Sequence, residues 1–428
     1  MVEVSQTNSM KWVSALSTRP SLEAAVAEVI EQAQDRLKMS PDLGFVFIST
    51  SFASEFPRLL PLLEERLPGV PIVGCSGGGI IGVDASDRPK EIEDDDPALS
   101  LVLATLPGVN IHPFFIETDE LPDLDGSPDV WVDAIGVAPS EEPHFVLLAD
   151  PFAGRLNDLL QGLDYAYPGA VKVGGLASGG AAGNNVGLFC EGELESNGVV
   201  GLALSGNIVI ESIVAQGCRP IGHPYRVTEG ERNIVLSVEK QENEAVLVGG
   251  DNPSAKKQTP LEVLQDLIQD LSDDDRELAQ RNYVFVGIAQ NEFKSKLEQG
   301  DFLIRNLLGV DPRVGAIAIG DRIRPGQRIQ FHLRDAETSA EDLEMLLTRY
   351  VRESEGQPAP IGALMFSCLG RGEGLYDEPD FDSSLFARYL PIPLGGFFCN
   401  GEIGPVGSNT FLHGYTSVFG IFRQPNRA

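Results

Sequence analysis

"FVFISTSFASEFPRLLPLLEERLPGVPIVGCSGGG" runs from Phe45 to Gly79, and the chain writes it again. Phe145 opens "FVLLADPFAGRLNDLLQGLDYAYPGAVKVGGLASGG". Set over one another without a gap, Leu59-Leu60 meets Leu159-Leu160, Pro68-Gly69 meets Pro168-Gly169, and Val73-Gly74 meets Val173-Gly174. A third, looser copy begins "GALMFSCLGRG" at Gly362 and reaches "YLPIPLGGFFCNGE". A fainter fourth is expected from "YVFVGIA" at Tyr283, without the glycines. Recurrence of this kind marks one supersecondary unit used several times.

Each copy spells the same local structure. A short apolar run such as Phe45 to Ile48 reads as a buried strand. A helical stretch follows and stops at Pro-Gly or Leu-Pro. A second short strand comes next (Pro71 to Val73, Val171 to Val173, Ile392 to Leu394), and then glycines. After an irregular excursion, long strands return from Pro97, Asn197 and His413. Elsewhere Ser21 to Lys38 puts Leu22, Val26, Val29, Ile30, Ala33 and Leu37 on one helix face. Thr259-Pro260-Leu261-Glu262 is a capping box, and Thr338 to Glu341 repeats its pattern ahead of "DLEMLLTRYV". The expected class is α/β to α+β: two related halves with mixed β-sheets flanked by helices. A boundary near residues 218–230 gives residues 1–40 as a helix-containing extension, 41–222 as a first module and 223–428 as a second.

The totals narrow the functions. At 428 residues the chain exceeds one ordinary hydrophobic core. A formal charge of −31 repels phosphate backbones and anionic lipid, so nucleic acid is not an expected partner, nor is membrane insertion. Acidic loops such as "DASDRPKEIEDDDP" and "TDELPDLDGSPD" read first as solvated surface. The five cysteines, Cys75, Cys190, Cys218, Cys368 and Cys399, form no CxxC pair and read as free thiols of a reducing compartment. No stretch has the apolar length of a membrane helix and the N-terminus lacks signal-peptide character, so a cytoplasmic protein is expected.

The glycine cluster around Cys75, Ser76 and Gly77 invites a phosphate-loop reading. "IIGVDASD" behind it does not open a helix, and no lysine follows before Lys90. Glycine instead lets the chain leave a buried strand and approach another backbone closely. In three copies the same clusters would leave room for a small ligand.

The densest stretch is "PLGGFFCNGEIGPVGSNTFLHGYT", Pro393 to Thr416. Phe398 reads as part core, part wall. Cys399 has no adjacent histidine and reads as a small hydrophobe before a nucleophile. Asn400 would turn the chain or offer its amide. Glu402 needs a partner if buried, and Arg371 of "CLGRGEG" is the candidate if the two loops meet. His413 reads first as a packing residue and second as a haem ligand or pH switch. Tyr415 completes the crowd. No histidine–cysteine spacing suits zinc, and no GxSxG elbow is present.

On these motifs the chain resembles the FIST proteins, with a FIST N-terminal and a FIST C-terminal module. "VGCSGGGIIG", "KVGGLASGG" and "GCRPIGHPYRVTEG" carry the first. "GDFLIRNLLGVDPRVGAIAIGDRIRPGQRIQFHLRDAE", "FSCLGRGEGLY" and the Pro393 stretch carry the second. The resemblance implies a sensory, small-ligand-binding domain of signal transduction, with amino acids or haem as ligands. It also implies action through a separate signalling output protein, since no fused output segment is recognised. The alternatives are an acidic protein-interaction scaffold and, behind it, a thiol-dependent enzyme using Cys399 or Cys75; a non-enzymatic role is expected.

Overall fold

The computed structural model describes residues 9–93, 96–179, 186–241, 257–280, 284–292, 294, 296–297 and 300–426. They form two compact units: Met1–Ala215 with Glu344–Ala428, and Gln216–Leu343.

The first unit holds the three copies, each wider than the repeat quoted above. In copy one the strand Leu43–Ser49 lies parallel to Ile72–Gly77 and antiparallel to the returning strand Leu99–Thr105, which pairs in turn with Lys11–Ser17. Copy two repeats this order with His144–Ala149, Lys172–Leu176, Gly198–Gly206 and Val109–Glu117. Copy three does so with Gly362–Cys368, Leu394–Cys399, Ser417–Arg423 and Val209–Ala215. The unit therefore opens with a strand before its first helix. Residues 1–40, expected as a helix-containing extension, also contribute the edge strand Lys11–Ser17. In sequence, Gln216–Leu343 interrupts copy three after Val209–Ala215.

Every copy also gives a hairpin away. The strand Ile72–Gly77 pairs with Leu188–Cys190 of copy two, Lys172–Leu176 with Glu402–Val406 of copy three, and Leu394–Cys399 with Ile80–Val83 of copy one. The exchange is cyclic, so three sheets close on one another around a shared core. Phe45, Phe47 and Val73, then Val146, Leu148 and Val173, then Leu364, Phe366 and Phe397 all point into it. Phe47 stacks on Phe397 at 5.3 Å and Trp12 on Phe422 at 4.5 Å. Helices Leu22–Leu37 and Phe56–Arg66 cover the outer face of the first sheet, and Pro128–Ile135 and Leu156–Ala166 cover that of the second.

The gapless overlay of copies one and two fails by one residue in the first strand. Phe45 is registered with Val73, whereas Val173 is registered with Val146, not Phe145. The central core takes Phe45 and Val146, while Phe145 faces outward beneath helix Leu156–Ala166. Side chains alternate across a strand, so the face that must be buried sets the equivalence, and a one-residue shift reverses it.

One glycine per copy is demanded by backbone approach. A Cβ on Gly74 would lie 1.9 Å from Val46 O, on Gly174 1.8 Å from Leu147 O, and on Gly396 1.9 Å from Met365 O. No side chain fits there.

The second unit is a different fold. Strands Arg219–Glu231, Arg328–Leu333, Val284–Ala289, Phe302–Asp311, Ala316–Ile319 and Ile234–Lys240 follow one another in an antiparallel ring, closed by pairing of the last with the first. Closure removes the sheet edges. Val227, Val286, Ile288, Ile317 and Phe331 fill it together with Val263 and Leu264 of helix Pro260–Asp270. Tyr283 lies outside the described residues. The strand Val284–Ala289 that follows has two antiparallel neighbours, so the expected fourth copy is not one.

Helix starts follow local chemistry. Ser21 caps Leu22–Leu37, and Thr259 with Glu262 makes the expected capping box. The later helix begins sooner than its second box suggested, at Ala336, with the Asp335 carboxylate accepting the Thr338 amide at 2.6 Å. Aspartate, an acceptor carrying full charge, serves better there than threonine.

Candidate ligand site at the glycine loops

The first unit has an internal threefold relation, and the glycine loops lie where its copies meet. The amide of Ser76 donates to Gly187 O at 2.9 Å, that of Leu176 to Gly401 O at 2.8 Å and that of Phe398 to Gly79 O at 2.9 Å. These are one bond made three times, each from a strand end to the neck of the next copy's hairpin.

A second ring of bonds is donated from two residues further on. Ser178 N donates to Ser76 O at 3.2 Å and Asn400 N to Leu176 O at 3.1 Å. The third joint is made through a side chain. The Ser178 hydroxyl accepts the Gly78 amide at 2.9 Å and donates to Phe398 O. The Ser76 hydroxyl accepts the Gly187 amide at 3.1 Å and donates to Ser178 O at 3.4 Å. Ser178 was not singled out from sequence. It stands where Gly78 and Asn400 stand in the other copies, and that equivalence was the available signal.

Side chains are sparse at this junction. A Cβ on Gly78 would meet Leu369 Cδ2 at 2.8 Å and Gly179 Cα at 3.5 Å. Asn400 and Leu369 are exposed, and Gly78 and Gly179 half-exposed, so the loops present an open rim above buried Ser76 and Ser178. Phe398 packs its ring over Gly79. Cys75 and Cys399 are buried in the shared core beneath, and burial pushes both thiols well above the ordinary range. Gly77 ends its strand against the Phe397 Cβ.

Arg371, Glu402, His413 and Tyr415 form a neighbouring network. The Arg371 guanidinium makes a fork on Asp382, 2.6 Å from Nε to one oxygen and 3.0 Å from Nη2 to the other, with both side chains fully buried. Tyr376 Oη accepts from Arg371 Nη2 at 2.5 Å and donates to Asp382 at 2.9 Å. Arg371 also reaches Tyr415 O at 3.5 Å, and Tyr415 holds the left-handed conformation with φ 61°. The Glu402 carboxylate accepts the Thr416 amide at 3.0 Å and stands opposite His413, whose Nε2 lies 3.0 Å from Gly404 O. Asp382 was missed because "DEPDFDSS" reads as one more acidic loop; helix Phe381–Tyr389 turns that residue inward.

Copy one reaches into this network with Glu91. Its Oε1 accepts the Ser383 amide at 2.7 Å, at the N-terminus of helix Phe381–Tyr389, while Oε2 is buried without a hydrogen bond. Burial first, and the Asp382 charge second, push its carboxyl up to about 8. Among the described residues no cluster of His, Cys, Asp or Glu has the geometry of a metal site, and no helix is long and apolar enough to cross a membrane.

The fold thus defines a class: three hairpin-exchanging α/β copies, the last interrupted by an antiparallel barrel, with glycine loops gathered at the copies' common junction. The FIST N domain matches residues 42–241 and the FIST C domain residues 260–405, and the chain belongs to the FIST family. An uncharacterized protein of Mycobacterium tuberculosis is 33% identical over 410 residues, covering 95% of this chain and 98% of its own. An F-box/LRR-repeat protein of Arabidopsis thaliana is 25% identical over 477 residues, covering 96% and 85%. Cyanuric acid hydrolase from A. caulinodans matches at a TM-score of 0.30 with 10% identity, over 96% of this chain and 99% of that one, a likeness too slight to carry an inference.

Proposed function

We propose that this chain is a small-ligand-binding sensory protein of signal transduction. FIST domains are recognised as sensory, ligand-binding domains. The observation that carries the reading here is the meeting of Gly77–Gly79, Ser178–Gly179 and Cys399–Gly401 around one buried hydroxyl. Exposed backbone beside a few fixed polar groups is how a small ligand is held. A ligand bridging two of these loops would tie separate copies together and change the cost of moving one against another, which a separate output protein would read.

Binding, not turnover, is the proposed activity. Cys75 and Cys399 are kept as thiols by burial, which opposes nucleophilic use. The test is thermal unfolding of the whole chain with each free amino acid and with haem. A true ligand at a hundred times its Kd adds about 2.7 kcal/mol and raises the melting temperature. The gain should vanish in Asn400→Trp, which fills the rim. No shift with any of these compounds at millimolar amino acid or saturating haem would overturn the reading.

A further inference from the structure

The chain's charge is unevenly placed. Half of its 32 Lys and Arg fall within Gln216–Leu343, which is under a third of its length. At one end of the barrel the turn at Arg232 lies against the loop that follows Ala316–Ile319. Ile323 N donates to Arg232 O at 2.6 Å, and Ile319 N to Asn233 O at 2.9 Å. Arg232, Arg322 and Arg324 are thereby gathered at that end, all exposed and none in an ion pair with a described residue.

An aliphatic strip runs up to them. Ile234 and Leu236 are 40% and 37% exposed, and Leu308 is 61% exposed. Ile234 is registered with Ala318, and Ala318 with Gly309, while the alternate residues Val235 and Ile317 face the core. Ile234 therefore stands on the outer side, and exposed Leu308, at the bulge between Leu307 and Gly309, lies on the strand at the other side of Ala316–Ile319. Arginine is enriched at protein-binding surfaces, whose buried centres are more apolar than the rest of the surface.

A matching surface exists on the same chain. Residues 119–133 contain no Lys or Arg. They expose Asp123, Asp125 and Asp129 beside Leu124 and Val130, which are 40% and 42% exposed. We propose that the occupant of the barrel surface is a second copy of this chain, docking its ridge 119–133 with carboxylates on Arg232, Arg322 and Arg324 and aliphatics on Ile234, Leu236 and Leu308. The two surfaces differ, so the contact is head-to-tail and either closes a ring or extends. At a net charge of −31 the copies repel at long range; at about 0.1 M salt, where charges are screened beyond about 10 Å, the local pairs prevail.

Sedimentation velocity on the whole chain through the micromolar range at that salt tests this. The wild type should associate with rising concentration. Arg322→Glu/Arg324→Glu should be monomeric, and so should Asp123→Arg/Asp125→Arg, both with unchanged circular dichroism. The two variants reverse opposite surfaces, so each meets a complementary surface on the other and their equimolar mixture should associate again. Should either pair misfold, Leu308→Asp alone, at an exposed site, supplies the loss. A wild type that stays monomeric, variants that associate as it does, or a mixture that does not associate would each overturn the proposal.

Discussion

The Gly78 amide and the Ser178 hydroxyl, 100 residues apart, are joined at 2.9 Å, and the same hydroxyl donates to Phe398 O in the third copy. One side chain thus closes the ring that backbone bonds close at the other two joints. Changing Ser178→Ala leaves a buried carbonyl and an amide without their partner, at a cost of about 1–3 kcal/mol. Chemical denaturation should show the midpoint falling. An unchanged midpoint would mean the joint does not depend on this hydroxyl.

The close-approach glycines should be far less tolerant than turn glycines. Gly74→Ala places a methyl 1.9 Å from Val46 O and should give no soluble folded protein. Gly69 has φ +72°, and a methyl there would meet open space, so Gly69→Ala should fold and lose about 1 kcal/mol. Expression in the soluble fraction and melting temperatures separate the two.

Arg371 and Asp382 are buried as a pair, and the pair is stabilising only while both are present. Arg371→Met or Asp382→Leu alone strands a buried charge and should cost about 3–5 kcal/mol, whereas the double change should cost much less than the sum. A double-mutant cycle by denaturant titration reads the coupling. Additive losses would contradict it.

Glu91 makes stability fall with rising pH. Its carboxyl is pushed up to about 8 in the fold from an ordinary 4.5, so across that window the unfolded chain releases a proton that the native chain retains. The stabilising contribution is whole below about 4.5 and gone above about 8. Glu91→Gln keeps an acceptor for Ser383 N and removes the titration. Its melting temperature should equal the wild type's at the acid end and exceed it at the alkaline end. Parallel curves for the two proteins would count against the buried carboxyl.

Thiol reactivity should rank by access. Cys368 is half-buried and should label first with iodoacetamide, while Cys75 and Cys399, fully buried with thiols pushed upward, should wait for unfolding. Mass spectrometry of peptides over time gives the order. Fast labelling of Cys399 would reopen the case for a nucleophile.

The repeat, its strand–helix–strand order and its glycines were legible because each is local: alternation, helix stops and close backbone approach act within a few residues. So was the capping box at Thr259. The one-residue displacement between Phe45 and Phe145 was hidden, because both positions are apolar and only the face buried distinguishes them. The fourth copy was read from one apolar run, which fits a barrel strand equally well.

By itself, then, the sequence determined that one unit is used three times and that each use must end in bare backbone. Only the tertiary structure decided that every copy pairs its last parallel strand with the next copy's hairpin, which brings the loops of residues 78, 178 and 400 to one junction. It likewise decided that Arg371 takes Asp382 as its carboxylate. Strand pairing is made by backbone groups common to all residues, and a buried ion pair by whichever carboxylate the packing turns inward. Neither choice is written in the spacing along the chain.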